Sequence, residues 1–155
     1  MNRRQHERNI FLVEQAPEGI YIARASGESI FTEADTLPEL RLMVQEAVHC
    51  HFDERDTMPK IIRLHSRAGR GYSRMRLPRN LTGAELIKHL SRLGYRRTCQ
   101  TGSHIRMTCD TLKQPHITVP MHEQPLRIRT LATIPSDVAE AHGMDRNDLL
   151  ERLFP

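Results

Sequence analysis

The chain has 155 residues, a formal net charge of +4, three cysteines and no tryptophan. That length suits one compact domain or two small ones, and Cys50, Cys99 and Cys109 do not make a disulfide framework, which favours a reduced, cytosolic protein. The basic N-terminus, "MNRRQHERNIFLVEQ", has an apolar run only from Ile10 to Val13, too short for a signal peptide or a membrane span.

The first elements read as strands. "IFLVEQ" (10–15), "IYIARA" (20–25) and "SIFTEA" (29–34) are separated by the turn sequences "APEG" and "SGE". Thr36-Leu37-Pro38-Glu39 then forms a capping box: Thr at the cap, Glu three residues on, Pro in the first turn. Leu37, Leu40, Val44, Ala47 and Val48 recur at helical spacing, which predicts a helix to about Phe52. "KIIRLH" (60–65), after Pro59, reads as a fourth strand. Residues 1–66 are therefore expected to form a β-β-β-α-β module.

The stretch "SRAGRGYSRM" (66–75) has two Gly, three Arg and no apolar period. It predicts a linker over 67–74, with a second module over 75–155. Thr82-Gly83-Ala84-Glu85 opens that module with another capping box, Leu86, Ile87, Leu90 and Leu93 supply an apolar stripe, and Gly94 is placed to stop the helix. Strands follow over 95–100, 104–109 and 116–120. Helical sequence then starts at "RTLATI" (129–134), meets Pro135, and resumes over 136–143 and 145–154. Proline inside a helix costs about 3 kcal/mol, so a kink or a split is expected there. The order is α-β-β-β-α, and the whole chain falls in the α+β class.

Charge separates the two modules. Residues 1–66 hold 8 basic and 11 acidic side chains, net −3, whereas residues 75–129 hold 10 basic against Glu85, Asp110 and Glu123, net +7. A basic module of this size suits a polyanion such as RNA or DNA. An acidic module tethered to a basic one also suits mutual binding.

The chemistry centres on "CQTGSHIRMTC" (99–109). Strand alternation puts His104, Arg106 and Thr108 on one face and the apolar Ile105, Met107 and Cys109 on the other. The first face should meet solvent or a partner, with His116 on the same side. Cys99, His104, Cys109 and His116 are zinc-type side chains, but no paired ligand spacing occurs and Cys109 leaves the sheet opposite to His104, so no metal is expected. His49 and His51 of "VHCHF" are two apart on a helix and point to different sides. Ser103 and His104 do not become a nucleophile and base by adjacency. Acid–base chemistry remains: an imidazole on a basic face can take the 2′-hydroxyl proton of RNA, while Arg106, Arg97 or Lys88 holds the phosphate and Gly102 allows close approach. On these residues alone an ordinary hairpin histidine remains the favoured reading.

The ordered segments "TGAELIKHLSRLGY", "QTGSHIRM", "ITVPMH" and "PLRIRTLATI" resemble the HicA family of bacterial toxins over residues 75 to about 153. That resemblance implies a double-stranded-RNA-binding-like fold and a metal-independent mRNA endonuclease without cofactor. It makes His104 the catalytic residue, with Gly102 its enabling neighbour, and His122 the recurrent histidine after the third strand. Beside it, Ser103 is taken as supporting, and Lys88, Arg97, Arg106, His116 and His122 as RNA or phosphate contacts. "IFLVEQAPEGIYIARA" and "SIFTEADTLPELRLMVQEAV" are similar to the HicB-type antitoxin domain, which implies a reduced ribonuclease-H-like fold that masks the toxin. The family often has a second histidine where Ile105 stands. Residues 66–74 are too short for the DNA-binding segment that many such antitoxins carry, so DNA binding is not expected.

A linker of about 10 residues reaches about 33 Å and holds one module near the other at about millimolar concentration. The two modules should therefore bind each other, within a chain or by exchange between chains. Two other readings fit the residues: a module that binds RNA by shape without cutting it, or a paired interaction protein with no nucleic acid.

Overall fold

The computed structural model describes residues 8–52, 58–67 and 77–155. Apart from Arg67, the expected linker lies outside them. The N-terminal unit runs β1 (Arg8–Gln15), β2 (Tyr21–Ala25), β3 (Phe31–Ala34), α1 (Leu37–His51) and β4 (Ile61–Ser66). The C-terminal unit runs α2 (Gly83–Arg92), β5 (Arg96–Thr101), β6 (His104–Thr108), β7 (His116–Pro120), α3 (Ile128–His142) and α4 (Arg146–Leu153).

The N-terminal sheet has the order β3-β2-β1-β4. β4 returns parallel to β1 after the crossover through α1, while β1-β2 and β2-β3 are antiparallel. Thr36 caps α1 by accepting the Glu39 N–H. Leu40, Val44, Ala47 and Val48 of α1 pack on Phe11, Val13, Ala23 and Ala25. The C-terminal sheet is an antiparallel meander, β5-β6-β7. Its apolar face, with Ile105, Met107, Ile117 and Val119, forms a second core with Leu86, Leu90, Leu131, Ile134, Val138 and Leu149 of the helices. The box expected at Thr82 forms fully: Thr82 Oγ1 accepts the Glu85 N–H and Glu85 returns a carboxylate to the Thr82 N–H.

The units join edge to edge. Thr118 N–H donates to Ser29 O at 2.8 Å, and Ile30 and Thr118 form a parallel bridge, so β3 sits beside β7. α1 then lies across the polar face of β5, β6 and β7 as well as across its own sheet. β3 serves both sides. Thr32 reaches His104 on one face, while Phe31 and Glu33 reach the C-terminal core and α3 on the other. Phe31, 1 % exposed, is the one N-terminal residue in the C-terminal core among the described residues.

The helix expected to kink or split at Pro135 is a single helix, α3, with the proline inside it. Side chains supply donors to the carbonyls of the preceding turn. Arg146 Nη2 donates to Ala132 O at 2.8 Å, and Thr133 Oγ1 donates to the carbonyls of Arg129 and Thr130. These bonds brace the turns around the proline, which itself removes the helical donor to the Leu131 carbonyl.

Candidate functional site

Gly102 has φ +54° in the turn between β5 and β6, a conformation that favours glycine. It sets Ser103 and His104 at the start of β6. In the intact chain the polar face is not open: His104 is 0 % and Arg106 5 % exposed, because α1 covers both. His104 Nδ1 lies 3.1 Å from Glu46 Oε2 and His104 Nε2 lies 2.8 Å from Thr32 Oγ1. With Glu46 ionised, Nδ1–H donates and Nε2 accepts from the threonine. Burial pushes the His104 pKa down from 6.5; Glu46 works against that shift and the nearby charge of His122 adds to it. The ring is thus held neutral, with the nitrogen that a base would use turned to Thr32.

Glu46 does more than hold His104. Its Oε1 accepts the Ser103 N–H at 2.7 Å and its Oε2 accepts from Ser103 Oγ at 3.2 Å. A Cβ at position 102 would overlap this carboxylate, so the glycine makes room for it.

His122 follows β7 by two residues. Because Pro120 pairs with His104, His122 and Ser103 share one end of the sheet. His122 Nε2 is 2.8 Å from Glu33 Oε1, and this hydrogen bond raises the His122 pKa above 6.5 against the opposing effect of burial. Glu33 Oε2 accepts from Thr130 Oγ1 at 2.7 Å and from the Arg127 N–H at 3.2 Å. α3 has no side-chain cap of its own, and Glu33 from the other unit accepts the N–H of its N-cap residue, Arg127.

The remaining expected residues are placed variously. Arg106 Nε donates to Thr98 Oγ1 and its Nη1 to His51 O, so it ties β5 and β6 to α1. His116 meets Thr108 Oγ1 at 2.9 Å and stacks edge-on against His51, on the covered face. Arg97 is not on that face. A bulge between Arg97 and Cys99 shifts the register, pairing Arg97 with Met107, and one residue of slip exchanges the faces. Exposed Lys88 lies on α2, packed against the apolar side of the sheet and so across the layer from His104. His49 is exposed and His51 is buried against Thr118, as the helical spacing predicts. Among the described residues, no three His, Cys, Asp or Glu side chains are grouped to hold a metal, and no helix is long and apolar enough to cross a membrane.

Residues 83–142 match the family model of the HicA toxin of bacterial toxin–antitoxin systems. A UPF0150 protein of Archaeoglobus fulgidus is 56% identical over 52 residues, a match spanning 34% of this chain and 76% of that protein. The chain belongs to the UPF0150 family. A second UPF0150 protein, from Thermotoga maritima, is 44% identical over 45 residues, spanning 29% of this chain and 64% of the relative. No solved structure matches. This UPF0150 chain thus carries a HicA toxin domain that contains Gly102, Ser103, His104 and His122.

Residue types alone gave no reason to single out Glu46, Glu33, Thr32 or Thr130. A faint signal existed for Glu46: Met43, Glu46 and Cys50 recur at i, i+3 and i+7, a stripe beside the core stripe of α1. Met43 Sδ lies 3.5 Å from Ser103 Oγ, and Cys50 Sγ donates to His104 O, so that stripe faces the C-terminal unit.

Proposed function

We propose that the chain is a fused toxin and antitoxin. Residues 75–155 are a metal-independent mRNA endoribonuclease of the double-stranded-RNA-binding-like fold, and residues 1–66 are a HicB-like, reduced ribonuclease-H-like unit that keeps the nuclease latent. The observation that carries this reading is His104 itself. It lies inside the HicA-matched segment, it is fully buried, and both of its ring nitrogens are held by residues of the other unit.

With α1 and β3 removed, His104 Nε2 becomes free to accept the proton of a 2′-hydroxyl. The 2′-oxygen bonds to the adjacent phosphorus, the P–O5′ bond breaks, and the departing 5′-oxygen takes a proton from water. The products are a 2′,3′-cyclic phosphate and a 5′-hydroxyl end. The Ser103 N–H and hydroxyl stand where charge develops on the phosphate oxygens.

The C-terminal core draws all its described buried members except Phe31 from residues 81–153, which supports folding of the unit alone. Expression of residues 75–155 should arrest growth, and the same fragment with His104→Ala should not, while melting at a similar temperature. Growth arrest by both fragments would end the assignment of His104.

A further inference from the structure

Two carboxylates of the N-terminal unit are seated at one end of the three-stranded sheet, each among donors of the C-terminal unit. Glu46 rests in the Gly102–Ser103–His104 turn, on the Ser103 N–H at 2.7 Å, Ser103 Oγ at 3.2 Å and His104 Nδ1 at 3.1 Å. Glu33 rests on His122 Nε2 at 2.8 Å, Thr130 Oγ1 at 2.7 Å and the Arg127 N–H at 3.2 Å. The second seat combines a helix N-terminus, where the backbone favours an anion, with an imidazole and a hydroxyl. Thr130 is fully buried, so its hydroxyl is fixed.

The two seats open on one cleft of about 450 Å³. Ser103, His122 and Arg127 line its C-terminal wall, and Glu33, Asp35 and Glu39 face them from the N-terminal unit. One wall supplies oxyanion donors and the other supplies anions. A carboxylate bound by two or three N–H and O–H donors matches the non-bridging oxygens of a phosphodiester in charge and geometry. Once the units separate, each seat is an oxyanion site without its anion.

We infer that Glu46 and Glu33 stand in for two phosphates of one RNA strand, so that the N-terminal unit inhibits as an RNA mimic. The Gly102–Ser103–His104 turn seats the phosphate that is attacked. His122, Thr130 and the Arg127 amide form a second phosphate subsite beside it. The inference rests on the proposal that the C-terminal unit takes RNA, but not on its cutting RNA.

The test uses the intact chain and a short 2′-O-methyl oligoribonucleotide, which lacks the attacking hydroxyl and cannot be cleaved. Glu33→Gln with Glu46→Gln keeps side-chain shape but presents amide N–H groups to donors. That chain should bind the probe at least about tenfold more tightly than the unaltered chain, the effect of one charge-assisted hydrogen bond. Adding His122→Ala should remove most of the gain. Thr130→Val, compared by melting temperature to verify folding, should do the same. Binding no tighter in the double variant, or a gain that survives both further substitutions, would overturn the inference. A variant chain that binds the probe as expected, together with a fragment 75–155 that never cuts natural RNA, would leave this subsite standing and remove the nuclease proposal.

Discussion

Phe31 is the sharpest probe of how the units hold each other. It belongs to β3, yet its ring is 1 % exposed within the C-terminal core. Truncating a buried Phe to Ala removes its transfer free energy and leaves a cavity, about 3–5 kcal/mol together. At Phe31 most of that loss falls on docking, because the N-terminal core is built from other residues: Phe11, Val13, Leu40 and Val44 among them. The docking constant should therefore weaken by about 10² to 10³-fold. Tethering opposes separation, so the expected outcome is an enlarged minority of open chains. Cys50 reports that minority. Burial, reinforced by Cys99, raises its thiol pKa to about 11, and its Sγ faces His104 O across the interface. Alkylation of Cys50 near neutral pH should be very slow in the intact chain and accelerate by about the same 10² to 10³-fold with Phe31→Ala. Mass spectrometry of the labelled peptides distinguishes Cys50 from Cys99 and Cys109. An unchanged Cys50 rate together with a lowered melting temperature would refute the reasoning, placing the loss in a core rather than in docking.

Gly102→Ala should open the same interface, since its Cβ would overlap the Glu46 carboxylate and the backbone is at φ +54°; Cys50 labelling should again accelerate. The two histidines oppose one another in pH. Burial lowers the His104 pKa below 6.5, so its stabilising contribution is complete above that value and is lost as pH falls through the lowered pKa. Glu33 raises the His122 pKa above 6.5, so its contribution is complete below 6.5 and is lost as pH rises through the raised pKa. With His122→Gln, the melting temperature should fall more steeply between about pH 7 and about pH 5 than in the unaltered chain; equal slopes would refute the opposition. Arg146→Ala removes the donors to Ala132 O and Ser136 Oγ that brace α3 beside Pro135 and should cost about 0.5–1.5 kcal/mol per hydrogen bond in urea unfolding; no change would show that the helix carries its proline unaided.

Local signals in the chain were strong where the backbone answers to neighbours in sequence. The Thr36 and Thr82 caps, the stripes of the first two helices apart from exposed Leu37, and the three strands of the second module lie where spacing and capping chemistry put them. No split occurs at Pro135, and α3 runs through it as one helix. A bulge puts Arg97 on the side of Met107, and "YRRTCQ" carries no clear mark of it. At the site, alternation correctly put His104 and Arg106 on the polar side of β6, but nothing near them tells that α1 covers that side. Glu46 and His104 are 58 residues apart, and Glu33 and His122 are 89 apart. Such pairs depend on β3 meeting β7, a long-range contact that periodicity does not encode.

Cleavage of a natural RNA by residues 75–155, in EDTA and during titration with separately produced residues 1–66, tests the central claim most directly. The expected result is cutting without added metal, products ending in 2′,3′-cyclic phosphate, loss of activity with His104→Ala, and silencing as the N-terminal unit approaches one equivalent. Undiminished cutting by the His104→Ala fragment, or by the wild-type fragment with the N-terminal unit in excess, would contradict it.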